Sequence, residues 1–315
     1  LRIIFMGTPE FAVPHLEQLV LNQYEVVAVY TRPDRPAGRG QTLASSPVKR
    51  AARALKLPVV QPVSLKARAA IDELKGFSPD VIVVAGFGQI LPQAVLDIPR
   101  YGCLNVHPSL LPRFRGASPV AAAVLAGDDF TGVSIMLVSA ALDSGPVLTR
   151  AQIPVSAQDT TDSLTSKLSR VGARVLLDTL VYWLRGELNP RPQNEAGATI
   201  CSLVTREKGE VDWHLRAVDI WRQVRAFHPW PGSYTSWRGK QLKILEAVPL
   251  PGEGSLEVGE VVALARKEAG IAFGINTGDG VLGVLRVQLE GKRGVSSAEF
   301  LRGQRQFIGA ILPSG

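Results

Sequence analysis

The chain has 315 residues and a formal net charge of +7, with 46% of its residues hydrophobic and 20% charged. That balance describes a folded globular protein rather than a disordered one, on a length that suggests two domains. Two cysteines in unrelated segments, Cys103 and Cys201, and four histidines without ligand spacing exclude a disulfide framework and argue against a bound metal.

The longest apolar runs, such as VIVVAG at 81–86, fall short of the roughly 18–20 residues of a membrane span. The opening LRIIFMG lacks the apolar stretch and cleavage site of a signal peptide. A cytoplasmic protein with no membrane association is expected, and no large apolar repeat calls for an obligate assembly, so a monomer is expected too.

In chain order, RIIFMG (2–7), VVAVYT (26–31), LPVVQP (57–62), VIVVAG (81–86) and CLNVH (103–107) predict short strands. Continuous apolar runs of this length suit a parallel sheet covered on both faces. Helical patterns at 11–23, 46–56 and 64–77 alternate with them, which predicts a doubly wound α/β domain. Ligands in such sheets sit beyond the carboxyl ends of the strands. Leu164, Leu168, Val171, Val175 and Leu180 mark a core stripe on a long helix near 160–185. The Pro- and Gly-rich stretch 185–199 reads as a linker. Beyond it, a helix near 214–226 and short strands punctuated by Gly predict a small β-barrel. Ser296 with Glu299 predicts a capped last helix.

Three features carry chemistry. Asn105 and His107 end an apolar strand, and residues two apart on a strand point to one side. As a pair they suit donation to an oxyanion; equally, they suit capping of backbone groups where the strand ends. Asp143, in ALDSGPVL, reads either as a turn former or as the carboxylate partner of His107. No Gly-x-Ser-x-Gly elbow supports Ser109 as a nucleophile, and FMGTPEF is not a dinucleotide fingerprint. Finally, TRPDRPAGRGQTLASSPVKR (31–50) holds Arg32, Arg35, Arg39, Lys49 and Arg50 in an unusually long strand-to-helix loop. It reads as a solvated charged loop or as a mobile grip on phosphates.

NVHPSLLPRFRGASPV (105–120) followed by LDSG (142–145) resembles the folate-dependent formyltransferases. IIFMGTPEFA, PDRPAGRG, SPVK, GFGQILP, VDW and RAFHPWPGS extend the resemblance over nearly the whole chain. Departures fall at Phe87, Ala121 and Leu203–Val204, outside the trio of Asn105, His107 and Asp143. The resemblance implies formyl transfer from 10-formyltetrahydrofolate to an amine, on the tRNA-formylating branch the α-amine of methionine on initiator tRNA. It implies Asn105, His107 and Asp143 as catalytic residues, Ser109, Leu110, Leu111 and Pro112 as the folate bed, and Arg35, Arg39 and Lys49 as tRNA contacts, with no metal. A nucleotide-linked amino sugar is the alternative acceptor. The expected architecture is a doubly wound, mostly parallel Rossmann-like sheet domain (1–188), a linker (189–206) and an OB-like, tRNA-binding β-barrel domain (207–315).

Overall fold

The strands follow the apolar runs closely. From the N-terminus come β1 (Arg2–Gly7), β2 (Glu25–Tyr30), a short pair β3 (Arg35–Ala37) and β4 (Thr42–Ala44), then β5 (Val59–Val60), β6 (Val81–Ala85), β7 (Cys103–His107), β8 (Arg115–Gly116), β9 (Phe130–Leu137) and β10 (Val147–Pro154). The helices are α1 (Val13–Leu21), α2 (Pro47–Ala54), α3 (Arg68–Gly76), α4 (Gln93–Leu96), α5 (Pro119–Ala126) and α6 (Thr161–Leu184). This computed structural model describes residues 1–37, 42–252, 257–264, 270–304 and 306–315.

Among the described residues the main sheet has the order β10-β9-β7-β6-β1-β2-β5. β5, β2, β1, β6 and β7 run parallel, while β9 pairs antiparallel with both β7 and β10. The chain builds outward from β1 to β5 and then reverses to β6 and β7, so the switch point lies between β1 and β6. β6 is buried along its whole length, the burial its unbroken apolar run demands. On one face Ile4, Met6, Tyr30, Ile82 and Val84 pack with Ile71 and Leu74 of α3 and Val95 of α4. On the other, Gly172 of α6 sits against His15 of α1 and Val106 and Val133 of the sheet. Both faces are therefore covered, as in a doubly wound fold.

Two boundaries differ from the sequence pattern. Pro9 accepts a bond from Ala12 N, closing a 3₁₀ turn over Glu10–Ala12, so α1 starts only at Val13. The strand expected at 57–62 shortens to Val59–Val60 at the sheet edge, where a single neighbour pairs with it.

The chain divides into two compact units. The first comprises Leu1–Pro119, Phe130–Pro154 and Thr165–Cys201; the second comprises Val120–Asp129, Val155–Leu164 and Ser202–Gly315. Residues 189–201 thus run with the first unit and end in β11 (Ile200–Cys201), which pairs with β8. In the second unit α7 (Ala217–Ala226) precedes β12 (Ser233–Trp237), β13 (Lys240–Leu250), β14 (Val261–Ala263), β15 (Phe273–Asn276), β16 (Val281–Leu289), β17 (Val295–Ser296) and α8 (Ser297–Gly303). They form a curled antiparallel sheet, β12-β13-β16-β15-β14 with β17 beside β16, around a core that includes Trp213, Ile244, Phe273, Phe300 and Phe307. This is the barrel-like body expected, although no ladder joins β12 to β14 among the described residues. α8 starts as its sequence predicts, with the Ser296 hydroxyl accepting from Glu299 N at 3.2 Å. No described helix is long and apolar enough to cross a membrane.

Candidate active site

β7 is the last parallel strand before the sheet turns antiparallel, and its carboxyl half carries Asn105 and His107. Asn105 lies opposite Val84 of β6 and is half-buried; His107 is buried at 4% exposure. Asp143 reaches both from the β9–β10 loop. Its Oδ1 accepts from Asn105 Nδ2 at 3.5 Å, and its Oδ2 lies 3.7 Å from His107 Nδ1. The three side chains that the sequence singled out converge on one point.

Backbone geometry explains how the loop delivers the carboxylate. Asp143 adopts a left-handed conformation with φ +45°, which Asp tolerates better than most residues. Gly145 lets the loop double back, because a Cβ there would run into the Leu137 carbonyl. Gly116 N donates to Asp143 Oδ2 at 2.9 Å. Gly116 has φ +113° and no room for a Cβ beside the Cys201 carbonyl, so only glycine presents that amide.

His107 Nε2 lies 2.9 Å from the Phe114 carbonyl. A carbonyl only accepts, which assigns the proton to Nε2 and leaves Nδ1 as the nitrogen facing Asp143. Burial lowers the His107 pKa, opposed by the Asp143 carboxylate and by the bond to Phe114. The ring therefore stands neutral near pH 7, with an Nδ1 lone pair facing a carboxylate oxygen at 3.7 Å. Two acceptors at that separation suit a proton-bearing group bridging them.

The turn Ser109–Pro112 divides by role. Ser109 is fully buried; its hydroxyl donates to the Arg113 carbonyl at 2.6 Å and its carbonyl accepts from Ser134 Oγ at 2.7 Å. Leu111 packs with Met136 and Val147, and its amide donates to Ser134 Oγ at 3.0 Å. Those two shape the turn, whereas Leu110 and Pro112 are half-exposed and are the members whose side chains can meet a ligand.

Among the described residues of the basic loop, β3 and β4 pair antiparallel as the two arms of a short hairpin. Thr31 and Ser46 hydroxyls close its base at 2.8 Å, and Gln61 Nε2 donates to the Arg32 carbonyl at 2.8 Å and to Asp34 Oδ1 at 2.9 Å. Arg35 is exposed. Arg39 lies outside the described residues. Lys49 is 6% exposed, with its ammonium 2.5 Å from Asp34 Oδ2. That pair ties the hairpin to α2.

The stretch read as a linker also supplies residues the motif search missed. Gln193 Nε2 donates to the carbonyls of Asp143 (2.8 Å) and Gly145 (2.7 Å), and its Oε1 accepts from Arg115 Nε and Nη2. Arg115 also pairs with Glu195 at 2.8 Å. The only signal of Gln193 and Glu195 in the sequence was polar residues among prolines, which suggests a loop before it suggests a site.

A Formyl transferase model matches residues 1–180, and a Formyl transferase, C-terminal domain model matches residues 203–305. The chain belongs to the formyl transferase family. It is 50% identical over 312 residues to a methionyl-tRNA formyltransferase of Dehalococcoides mccartyi, covering 99% of this chain and 98% of that protein. Two solved structures share its fold. HypX of Aquifex aeolicus in complex with tetrahydrofolic acid has a TM-score of 0.64 at 22% identity, over 98% of this chain and 48% of that one. WlaRD, a sugar 3N-formyl transferase, has a TM-score of 0.64 at 16% identity, over 93% and 99%.

Proposed function

We infer that this formyltransferase moves the formyl group of 10-formyltetrahydrofolate to the α-amine of methionine on initiator tRNA. The observation that carries the chemistry is the convergence of Asn105 and His107 on the Asp143 carboxylate, at 3.5 and 3.7 Å. The likeness over the whole chain to a methionyl-tRNA formyltransferase supports the acceptor. A nucleotide-linked amino sugar as acceptor rests on fold likeness alone.

The folate supplies an activated formyl carbon when bound, and the half-exposed Leu110 and Pro112, which follow His107 in the chain, are the apolar side chains we assign to its ring. His107 Nδ1, with Asp143 beside it, takes a proton from the incoming ammonium and leaves a nucleophilic amine. The imidazolium so formed is stabilised by the Asp143 carboxylate, and its Nδ1–H becomes a donor. Asn105, which has an amide hydrogen beyond its long contact to Asp143, and His107 then both donate to the formyl oxygen as negative charge develops there. Asp143 accepts the second proton that the attacking nitrogen loses, and His107 returns its proton to the departing folate nitrogen. Polarisation and proton transfer thus share one imidazole nitrogen.

The test is to mix the protein with labelled 10-formyltetrahydrofolate and offer methionyl initiator tRNA, a nucleotide-linked amino sugar, or water alone. Rapid labelling of the charged tRNA is expected. Label only on the sugar, or only as free formate, would contradict the acceptor while keeping the cleft chemistry.

A further inference from the structure

Asp143 holds a left-handed conformation, and its carboxylate faces His107 across 3.7 Å. Something must hold such a loop in register, because a misplacement on the order of 1 Å can cost as much as ~10²-fold in rate. The Gly116 amide holds one carboxylate oxygen, but the backbone of the loop needs its own support.

That support comes from a distant part of the chain. The Gln193 side chain is 9% exposed and sits between two kinds of neighbour. On one side are the carbonyls of Asp143 and Gly145, which only accept; on the other is the Arg115 guanidinium, which only donates. The amide orientation is therefore unambiguous, and all four of its hydrogen-bonding positions are filled. Arg115 is itself buried at 7% exposure and fixed by Glu195 through two bonds of 2.9 and 2.8 Å. The relay runs from Glu195 through Arg115 and Gln193 to the backbone on both sides of Ser144.

We propose that Gln193 is a positioning residue for formyl transfer, clamping the Asp143–Gly145 backbone so that the Asp143 carboxylate stays at His107 Nδ1. The inference rests on the reading of Asp143 as the proton-handling carboxylate. It gives residues 189–201 a part in catalysis that a connecting segment would not have. Arg115 serves the clamp by holding the amide oxygen. The charged and titratable groups around this carboxylate are His107, Arg115 and Cys201.

The test is Gln193→Glu in the full chain, which keeps an acceptor for Arg115 but removes both donors to the loop. With methionyl initiator tRNA and 10-formyltetrahydrofolate, turnover is expected to fall at least ~10-fold. KM for both substrates should stay close to wild type, and turnover is read per folded molecule because two buried carbonyls lose their donors. Because the carboxylate retreats from Nδ1, the acid limb of the rate profile should move to lower pH in the variant that adds no charge of its own, Gln193→Met. Gln193→Met, which fills the same volume with neither donor nor acceptor, should give the same loss of turnover per folded molecule and serves if Gln193→Glu does not accumulate. Unchanged turnover per folded molecule with an unchanged acid limb, whatever the melting temperature, overturns the proposal. Asp143→Asn measured alongside separates two failures. Full activity in Asp143→Asn overturns the reading of the site, whereas an inactive Asp143→Asn beside a fully active Gln193→Glu overturns only the clamp.

Discussion

With Nε2 committed to the Phe114 carbonyl, every use of His107 in the reaction passes through Nδ1, and two expectations follow at the scale of single residues. Asn105→Ala or His107→Ala should each lower turnover by at least ~10²-fold, the usual cost of one preorganised donor to a developing oxyanion, read as kcat at saturating substrates. A variant with near-normal kcat would remove that side chain from the polarising pair. The second expectation concerns pH. Burial lowers the His107 pKa and Asp143 partly restores it, so the acid limb of kcat/KM should lie below the free imidazole value of about 6.5. The pairing of Asn105 with His107 was legible because a strand's period of two puts them on one side. The Nδ1 constraint was not, because nothing local in the sequence announces that the Phe114 carbonyl turns back toward His107.

Among elements, the β3–β4 hairpin shows where pattern and structure part. Its Pro, Gly and Arg content reads as a mobile loop, yet Lys49, Asp34, Gln61, Thr31 and Ser46 fasten its base. Those contacts join residues 15 to 27 apart in sequence, beyond the reach of a local pattern. Lys49 neutralises Asp34, whose pKa is lowered chiefly by its bond to Lys49 and then by Gln61. Lys49→Met should leave Asp34 without its cation and loosen the hairpin, seen as faster limited proteolysis within 31–46, with slower formylation of tRNA than wild type. Equal proteolysis rates would show that the ion pair does not hold the hairpin. The contacts of segment 189–201 are hidden from a local pattern in the same way: Gln193 and Arg115, 78 residues apart, meet only in the folded unit. The strands and α8 were legible for the opposite reason, since burial along β6 and the Ser296 cap are written in consecutive residues.

For the molecule as a whole, the sheet order places β7 one strand beyond the switch point, and the core beneath it contains a second buried imidazole. His15 is fully buried against Phe11, with neither ring nitrogen making a hydrogen bond among the described residues. Desolvation pushes its pKa down to about 4, tempered by the nearby Phe11 and Ala12 backbone. The folded chain thus binds fewer protons at this site than the unfolded chain, so stability is fully present above about pH 6.5 and is lost as pH falls toward 4, on the order of 3 kcal/mol in all. His15→Leu should flatten the pH dependence of unfolding free energy across that window, measured by denaturant titration. An unchanged slope would show that His15 does not carry the acid sensitivity.

The measurement that tests the account most directly is the single-turnover rate of formyl transfer to methionyl initiator tRNA between pH 5 and 8, in the wild-type chain and in Asp143→Asn. The wild-type rate should fall with acid below about pH 6.5. Asp143→Asn should show a much lower plateau and an acid limb at lower pH, because the carboxylate that favours the imidazolium is gone. A wild-type plateau retained by Asp143→Asn, with its acid limb unmoved, would contradict proton transfer through His107 Nδ1 and Asp143.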